Sequence, residues 1–115
     1  MVSILEEKSF RFAIRIVNLS NHLRAKKEHT LSKQLLRSGT SIGANIAEAQ
    51  QAQSKADFVS KMNIALKETA ETKYWIELLY NTEYLTKEEY VSLFADCNEI
   101  YNLLSSITKS VKENE

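Results

Sequence analysis

Residues 54–80 read SKADFVSKMNIALKETAETKYWIELLY. Advancing 100° per residue along this stretch brings Phe58, Met62, Ala65, Thr69, Thr72, Ile76 and Leu79 onto one continuous stripe, with Ile64 and Trp75 at its flanks. Ser54-x-x-Asp57 at its head resembles a capping box, with Asp where Glu or Gln is usual. A helix of about 27 residues at 1.5 Å per residue would reach about 40 Å, the length of a bundle member. Downstream, Thr86-x-x-Glu89 is a full capping box. It opens a last helix on which Tyr90, Phe94, Cys97, Tyr101, Leu104, Thr108 and Val111 alternate steps of four and three, a seam widened by Val91, Leu93, Ile100, Leu103 and Ile107.

Upstream, Thr30 is the expected N-cap of a second helix carrying Leu31, Leu35, Ser38, Ile42, Ile46 and Ala49 on one face. Its later half, SGTSIGANIAEA from residue 38, is made thin by small side chains. Each helix-interior glycine costs roughly 0.8–1 kcal/mol against alanine, so Gly39 and Gly43 call for close helix crossing as the offsetting gain. They spell GxxxG, but the segment is too polar for a membrane helix. The first helix carries two apolar stripes. Leu5, Phe12, Ile16, Leu19 and Leu23 form one, and Phe10, Ala13, Ile14 and Val17 form the other. A helix on the outside of a solitary bundle needs one such face, so the second suggests contact between subunits.

Helices are thus expected over about residues 3–24, 30–49, 54–81 and 86–112, with the last residues of the chain fraying. Connectors of about five residues make neighbours antiparallel. The expectation is an all-α, up-down-up-down antiparallel four-helix bundle in a single domain, residues 1–115. Composition agrees: 115 residues suit one core, and two glycines with no proline, where an average chain would carry about 8 and about 6, leave little for a turn-rich β fold. One cysteine, no signal-peptide pattern and no long apolar run point to a cytoplasmic protein without a membrane partner.

The 15 basic and 15 acidic side chains cancel, so nucleic acid or an anionic membrane would have to be met by a local patch. Residues 1–47 hold eight basic side chains against three acidic, a net +5, and residues 48–115 carry the opposite −5. Arg11 and Arg15 share a face of the first helix. Arg24, Lys26 and Lys27 stand at its end, near Lys33 and Arg37 in an antiparallel pair. These seven admit two readings: a phosphate-contacting surface for RNA or DNA, or solvated residues pairing with the acidic third and fourth helices.

Asn45, Glu48, Glu68 and Glu71 lie close to apolar positions and are read as a structural polar network. In it, Glu48 and Glu68 or Glu71 would accept hydrogen bonds from Ser38, Thr40, Ser41, Thr69 or Thr72, or from amides at the connector. No catalytic constellation is legible. His22 and His29 lack the upstream glutamate of a carboxylate-bridged metal bundle, Cys97 sits at a core position, and the two glycines have no P-loop lysine. No enzyme activity, metal or cofactor is expected. Tyr74, Trp75 and Tyr80 form one aromatic group, read as packing within the bundle or between subunits in preference to stacking on bases.

Residues 31–79, through Leu36-Arg37, Ser41-Ile42-x-x-Asn45-Ile46-Ala47-Glu48, Ser54-x-x-Asp57-Phe58, Ile64-Ala65 and Glu68-x-x-Glu71-Thr72, closely resemble the four-helix-bundle proteins encoded in intervening sequences of bacterial 23S ribosomal RNA genes. Gly43 and Ala49 stand where many members have proline and glycine. The resemblance implies a barrel-like homopentamer with no established enzymatic activity. The chain is also similar to the accessory variability determinant of diversity-generating retroelements, a more basic relative that shares the bundle and pentamer. That likeness implies binding of nucleic acid and a protein partner through basic surfaces. The expectation is a self-assembling bundle that contacts structured RNA or DNA through Arg11, Arg15, Arg24, Lys26, Lys27, Lys33 and Arg37. The alternative is a protein-interaction adaptor that binds no nucleic acid.

Overall fold

The computed structural model describes residues 2–113. Four helices follow one another: α1 (Val2–Ala25), α2 (Thr30–Ala49), α3 (Lys55–Asn81) and α4 (Lys87–Glu113). Short connectors reverse the chain at each step, and only helices adjacent around the square pack together, which makes an antiparallel bundle measuring 47 × 22 × 19 Å. The α1 and α4 backbones approach each other least closely of the four neighbouring pairs.

The boundaries are set by local chemistry. Ser54 caps α3 through the Asp57 amide (3.0 Å), and the Asp57 carboxylate reaches back to accept from the Gln53 amide (3.2 Å). At α4 the capping box closes both ways, Glu89 N–H to Thr86 Oγ1 (3.1 Å) and Thr86 N–H to the Glu89 carboxylate (2.8 Å). The expected cap at Thr30 is corrected. Thr30 is already helical, His29 occupies the N-cap without a side-chain bond, and Glu28 accepts instead from the amides of Thr30 (3.2 Å) and Leu31 (3.4 Å). The carboxylate of the preceding residue thereby does the work the sequence assigns to a hydroxyl.

Helices α1 and α3 end in the same way. Lys27 (φ 66°) and Glu83 (φ 68°) are left-handed. The following amides, Glu28 and Tyr84, return to the carbonyls of Leu23 and Leu79, both at 2.9 Å. These are Schellman closures built without glycine.

The core is what the stripes describe. Leu5, Phe12, Ile16 and Leu23 of α1, Leu35, Ile42 and Ile46 of α2, and Met62, Ala65, Ile76 and Leu79 of α3 are inaccessible or nearly so. Thr69 and Thr72 are buried among them, and their hydroxyls are satisfied by the carbonyls one turn back, of Ala65 (2.7 Å) and Glu68 (2.8 Å). On α4 the seam is rotated from the expected line. Leu93, Cys97, Ile100, Leu104 and Ile107 form its buried edge, Tyr90, Phe94 and Tyr101 are half-buried on the α3 side, and Val91 is 55% exposed. Among the described residues no buried side-chain nitrogen or oxygen lacks a hydrogen-bond partner.

The two glycines prove unlike. A Cβ on Gly39 would lie 2.7 and 2.8 Å from the Cγ2 and Cγ1 atoms of buried Ile16, so α1 and α2 cross there with no room for alanine. A Cβ on Gly43 would meet Ser9 at 3.5 Å, an ordinary contact. Close crossing therefore explains Gly39 and not Gly43, which borders an open groove.

Candidate nucleic-acid interface and the open face of the first helix

Of the seven cations proposed from sequence, three are tied down within the fold. Arg11 pairs with Glu7 one turn away (2.9 Å). Arg15 bridges to α4, with Asp96 Oδ2 at 2.6 Å and Ser92 Oγ at 3.1 Å. Arg37 lies between Glu68 Oε2 (3.2 Å) and Glu71 Oε2, and Glu71 also accepts from Trp75 Nε1 (2.9 Å). The Arg15 and Arg37 contacts follow the pairing reading, reaching acidic α4 and α3 from the basic half of the chain, whereas Arg11 pairs within its own helix.

The other four are Arg24, Lys26, Lys27 and Lys33. They gather where α1 ends and α2 begins, are exposed, and form no ion pair among the described residues. Arg24 and Lys33 face one another across a shallow cleft with His29, Ser20, Ser32 and Leu36. Ser20 Oγ donates across it to the Ser32 carbonyl (3.2 Å), which fixes the two helices at this level. Lys26 turns the other way, toward Glu83 and Glu89 at the α3–α4 connector. Glu89 is held below the usual carboxylate range, first by the Thr86 amide it accepts, with His22 and Lys26 adding smaller attractions.

The expected hydroxyl-to-carboxylate network is also corrected. Glu48 pairs with Lys61 (3.2 Å), Asn45 donates to the Ser41 carbonyl (2.8 Å), and Glu68 and Glu71 hold Arg37. Thr40, Ser41 and Thr69 donate to carbonyls of their own helices, while the Ser38 and Thr72 hydroxyls meet across α2 and α3 at 2.9 Å. A hydroxyl in a helix finds an acceptor one turn back at no conformational expense, so the carboxylates were left for the longer cationic side chains. The Glu48–Lys61 pair and the Ser38–Thr72 contact set the register of α3 on α2.

Aromatic residues divide into two groups rather than one. Tyr74 meets Trp75 edge to face at 5.1 Å on α3, whereas Tyr80 stacks on Tyr90 at 4.3 Å, with Phe94 next to it. Lys73 Nζ lies 4.7 Å from the Tyr101 ring centre and 5.3 Å from that of Phe94, a cation–π contact that the helical wheel did not suggest. Cys97 is buried, and desolvation pushes its thiol up to about 12. Among the described residues no helix is long and apolar enough to cross a membrane.

The second stripe of α1 stays bare. Phe10 is 68% exposed, Ile14 49% and Val17 40%, while the first stripe is inside. Beside Phe10 and Ala13, the small residues Thr40, Gly43, Ala44 and Ala47 of α2 leave an apolar groove of about 620 Å³, with Glu6 and Glu7 at its edge.

A solved structure from Bacteroides thetaiotaomicron VPI-5482, described as a protein with unknown function from the S23 ribosomal protein family, superposes with a TM-score of 0.91. It is 59% identical to this chain, and the match covers 94% of this chain and 97% of that one. No curated protein matches the sequence significantly. The model of the 23S rRNA-intervening sequence protein family matches residues 3–106, almost the whole bundle and both faces described above. With that span, and with a near-identical fold in an S23 relative, the chain belongs to the 23S rRNA-intervening sequence protein family.

Proposed function

We propose that the protein is a non-enzymatic helical bundle that assembles as a homopentamer and binds structured RNA or DNA through the loop end of α1 and α2. The observation that carries this reading is the set of four exposed cations, Arg24, Lys26, Lys27 and Lys33, without ion-pair partners among the described residues. The other four basic residues of the first 47, Lys8, Arg11, Arg15 and Arg37, are all paired with carboxylates. Four positive charges on one bundle make a weak phosphate site, but five copies on one rim would give twenty, enough to hold a folded polyanion. The bare stripe of α1 supports the assembly half of the reading, since Phe10, Ile14 and Val17 lie side by side in water in a lone bundle. Membership in a family described by its link to 23S rRNA intervening sequences gives structured RNA priority as ligand.

The test is a salt titration of binding to a structured RNA and to duplex DNA, with wild type beside the quadruple variant Arg24→Glu, Lys26→Glu, Lys27→Glu, Lys33→Glu. Binding should fall steeply between 50 and 200 mM salt, by about 10³-fold or more if six or more phosphates are contacted, and the variant should lose it at every salt concentration. Retention of no nucleic acid at 50 mM salt would reject the proposal. Salt-insensitive capture of a protein through the Phe10 groove would favour the adaptor reading in its place.

A further inference from the structure

The α1–α2 and α3–α4 connectors lie at the same end of the antiparallel bundle, and their chemistry differs. On the α1–α2 side, the cleft that holds Arg24, His29 and Lys33 is lined by no carboxylate. On the α3–α4 side a cavity of about 530 Å³ is lined by Tyr80 and Tyr84, with Lys26 and Lys87 set against Glu83 and Glu89. Two cations and two carboxylates leave this cavity electrically balanced, so a phosphate gains little by entering it, whereas a neutral aromatic ring is admitted without electrostatic cost. One face of Tyr80 is already covered by Tyr90, stacked at 4.3 Å with the planes 9° apart. Tyr84 is half-buried, and among the described residues its ring stacks on no other ring and its hydroxyl has no hydrogen-bond partner. Lys26 belongs to both sides, being one of the four unpaired cations and a wall of the cavity.

We propose that an unpaired base of the bound RNA packs on the Tyr84 ring in this cavity, with the phosphates beside it held by Lys26 and by the Arg24–Lys33 cleft. This inference rests on the nucleic-acid reading proposed above and names the class of RNA the site prefers: one with an unpaired loop, bulge or end, over a continuous duplex. In a duplex each base is already stacked on its neighbours, and the outside of the helix is phosphate, which exposed Glu83, Glu88 and Glu89 on the α3–α4 side oppose. An unpaired nucleotide can divide, leaving its charge on the cationic half of the bundle end and its ring on the aromatic half. The cavity falls within the roughly 300–1,000 Å³ of small-ligand sites, which is room for one nucleoside and not for a double helix. The tyrosine is also presented from a fixed turn, since its amide closes α3 on the Leu79 carbonyl at 2.9 Å.

The test compares an RNA hairpin carrying an unpaired loop with the same strand annealed to its full complement, both at 50 mM salt. Wild type should bind the hairpin about tenfold more tightly than the duplex, the scale of one base stacked on an aromatic ring. This preference is read without any substitution. Tyr84→Phe keeps the ring and should keep the preference. Tyr84→Leu keeps an apolar side chain against the bundle end but no ring, so it should retain the wild-type circular dichroism and the duplex affinity while its hairpin affinity falls to the duplex level. Equal binding of hairpin and duplex by wild type, or a folded Tyr84→Leu that still prefers the hairpin, would overturn the base site and leave the four-cation surface standing. Retention of neither RNA would remove the nucleic-acid reading and the base site together.

Discussion

Replacing Gly39 and Gly43 separately by alanine puts the helix-crossing argument to a quantitative test, because the same substitution four residues apart should have opposite signs. Either change gains roughly 0.8–1 kcal/mol of helix propensity. At Gly43 nothing opposes that gain, since the new Cβ rests 3.5 Å from Ser9. At Gly39 the Cβ falls 2.7 and 2.8 Å from two carbons of Ile16, which is wholly buried and cannot swing aside. Overpacking of this kind costs about 1–3 kcal/mol, so Gly39→Ala should be destabilised by about 1 kcal/mol net. Thermal unfolding should therefore show Gly43→Ala about 4 °C above its parent and Gly39→Ala about 4 °C below. The two variants and their parent are compared at one protein concentration, so that any self-association contributes equally to the melting temperature. A cycle with Ile16→Ala supplies the control: with both Ile16 carbons removed, Gly39→Ala should turn from harmful to neutral or favourable. If Gly39→Ala raises stability as much as Gly43→Ala in the unmodified core, the close crossing of α1 and α2 is wrong.

Other consequences can be measured with the same equipment. Lys27→Gly should stabilise the fold by about 1 kcal/mol, because a left-handed residue favours glycine, while weakening nucleic-acid binding at low salt; a loss of stability would contradict the Schellman closure. Arg37→Ala strands Glu68 and Glu71, whose side chains are 20% and 34% exposed, and should cost about 1 kcal/mol by urea denaturation, with the deficit shrinking in high salt. Thr86→Ala should cost about 1 kcal/mol through loss of the α4 cap. The partner residue Glu89 has a depressed folded pKa, so its contribution is present above the ordinary glutamate value of about 4.3 and is lost as pH falls through the lower folded value. The melting-temperature gap between wild type and Glu89→Gln should accordingly close on acidification, and a gap that widens would refute the assignment. Cys97, its thiol pushed up to about 12, should react with a disulfide reagent at pH 8 only as fast as the bundle unfolds; immediate stoichiometric reaction would place it outside the core.

What was legible in the linear chain was whatever depends on spacing along one helix. Met62, Ala65, Thr69, Thr72, Ile76 and Leu79 are buried as their period requires, and α2 begins and ends at the expected residues, 30 and 49. The capping boxes at Ser54 and Thr86 are local motifs in which donor and acceptor lie three residues apart, so no distant part of the molecule has to be known. Even the surplus apolar stripe of α1 was readable, because two stripes exceed what one neighbour pair can cover. The cap at Thr30 failed for a local reason of another kind: Glu28, one residue outside the usual motif, accepts from the first two amides of the helix, those of Thr30 and Leu31.

Tertiary structure alone decided which polar groups find each other. Arg37 meets Glu68 and Glu71, and Arg15 meets Asp96, across helix pairs whose relative rotation and height no helical wheel contains. That rotation separated three neutralised cations from the four left bare, turned Val91 outward, and sent Tyr80 to Tyr90 instead of Trp75. It likewise distinguished Gly39, pressed on Ile16, from Gly43, where an added Cβ would make only an ordinary contact with Ser9. Periodicity fixes the face of each helix to within a turn, but a salt bridge or a methyl-sized gap is settled over an ångström or two, and that precision comes only from packing all four helices at once.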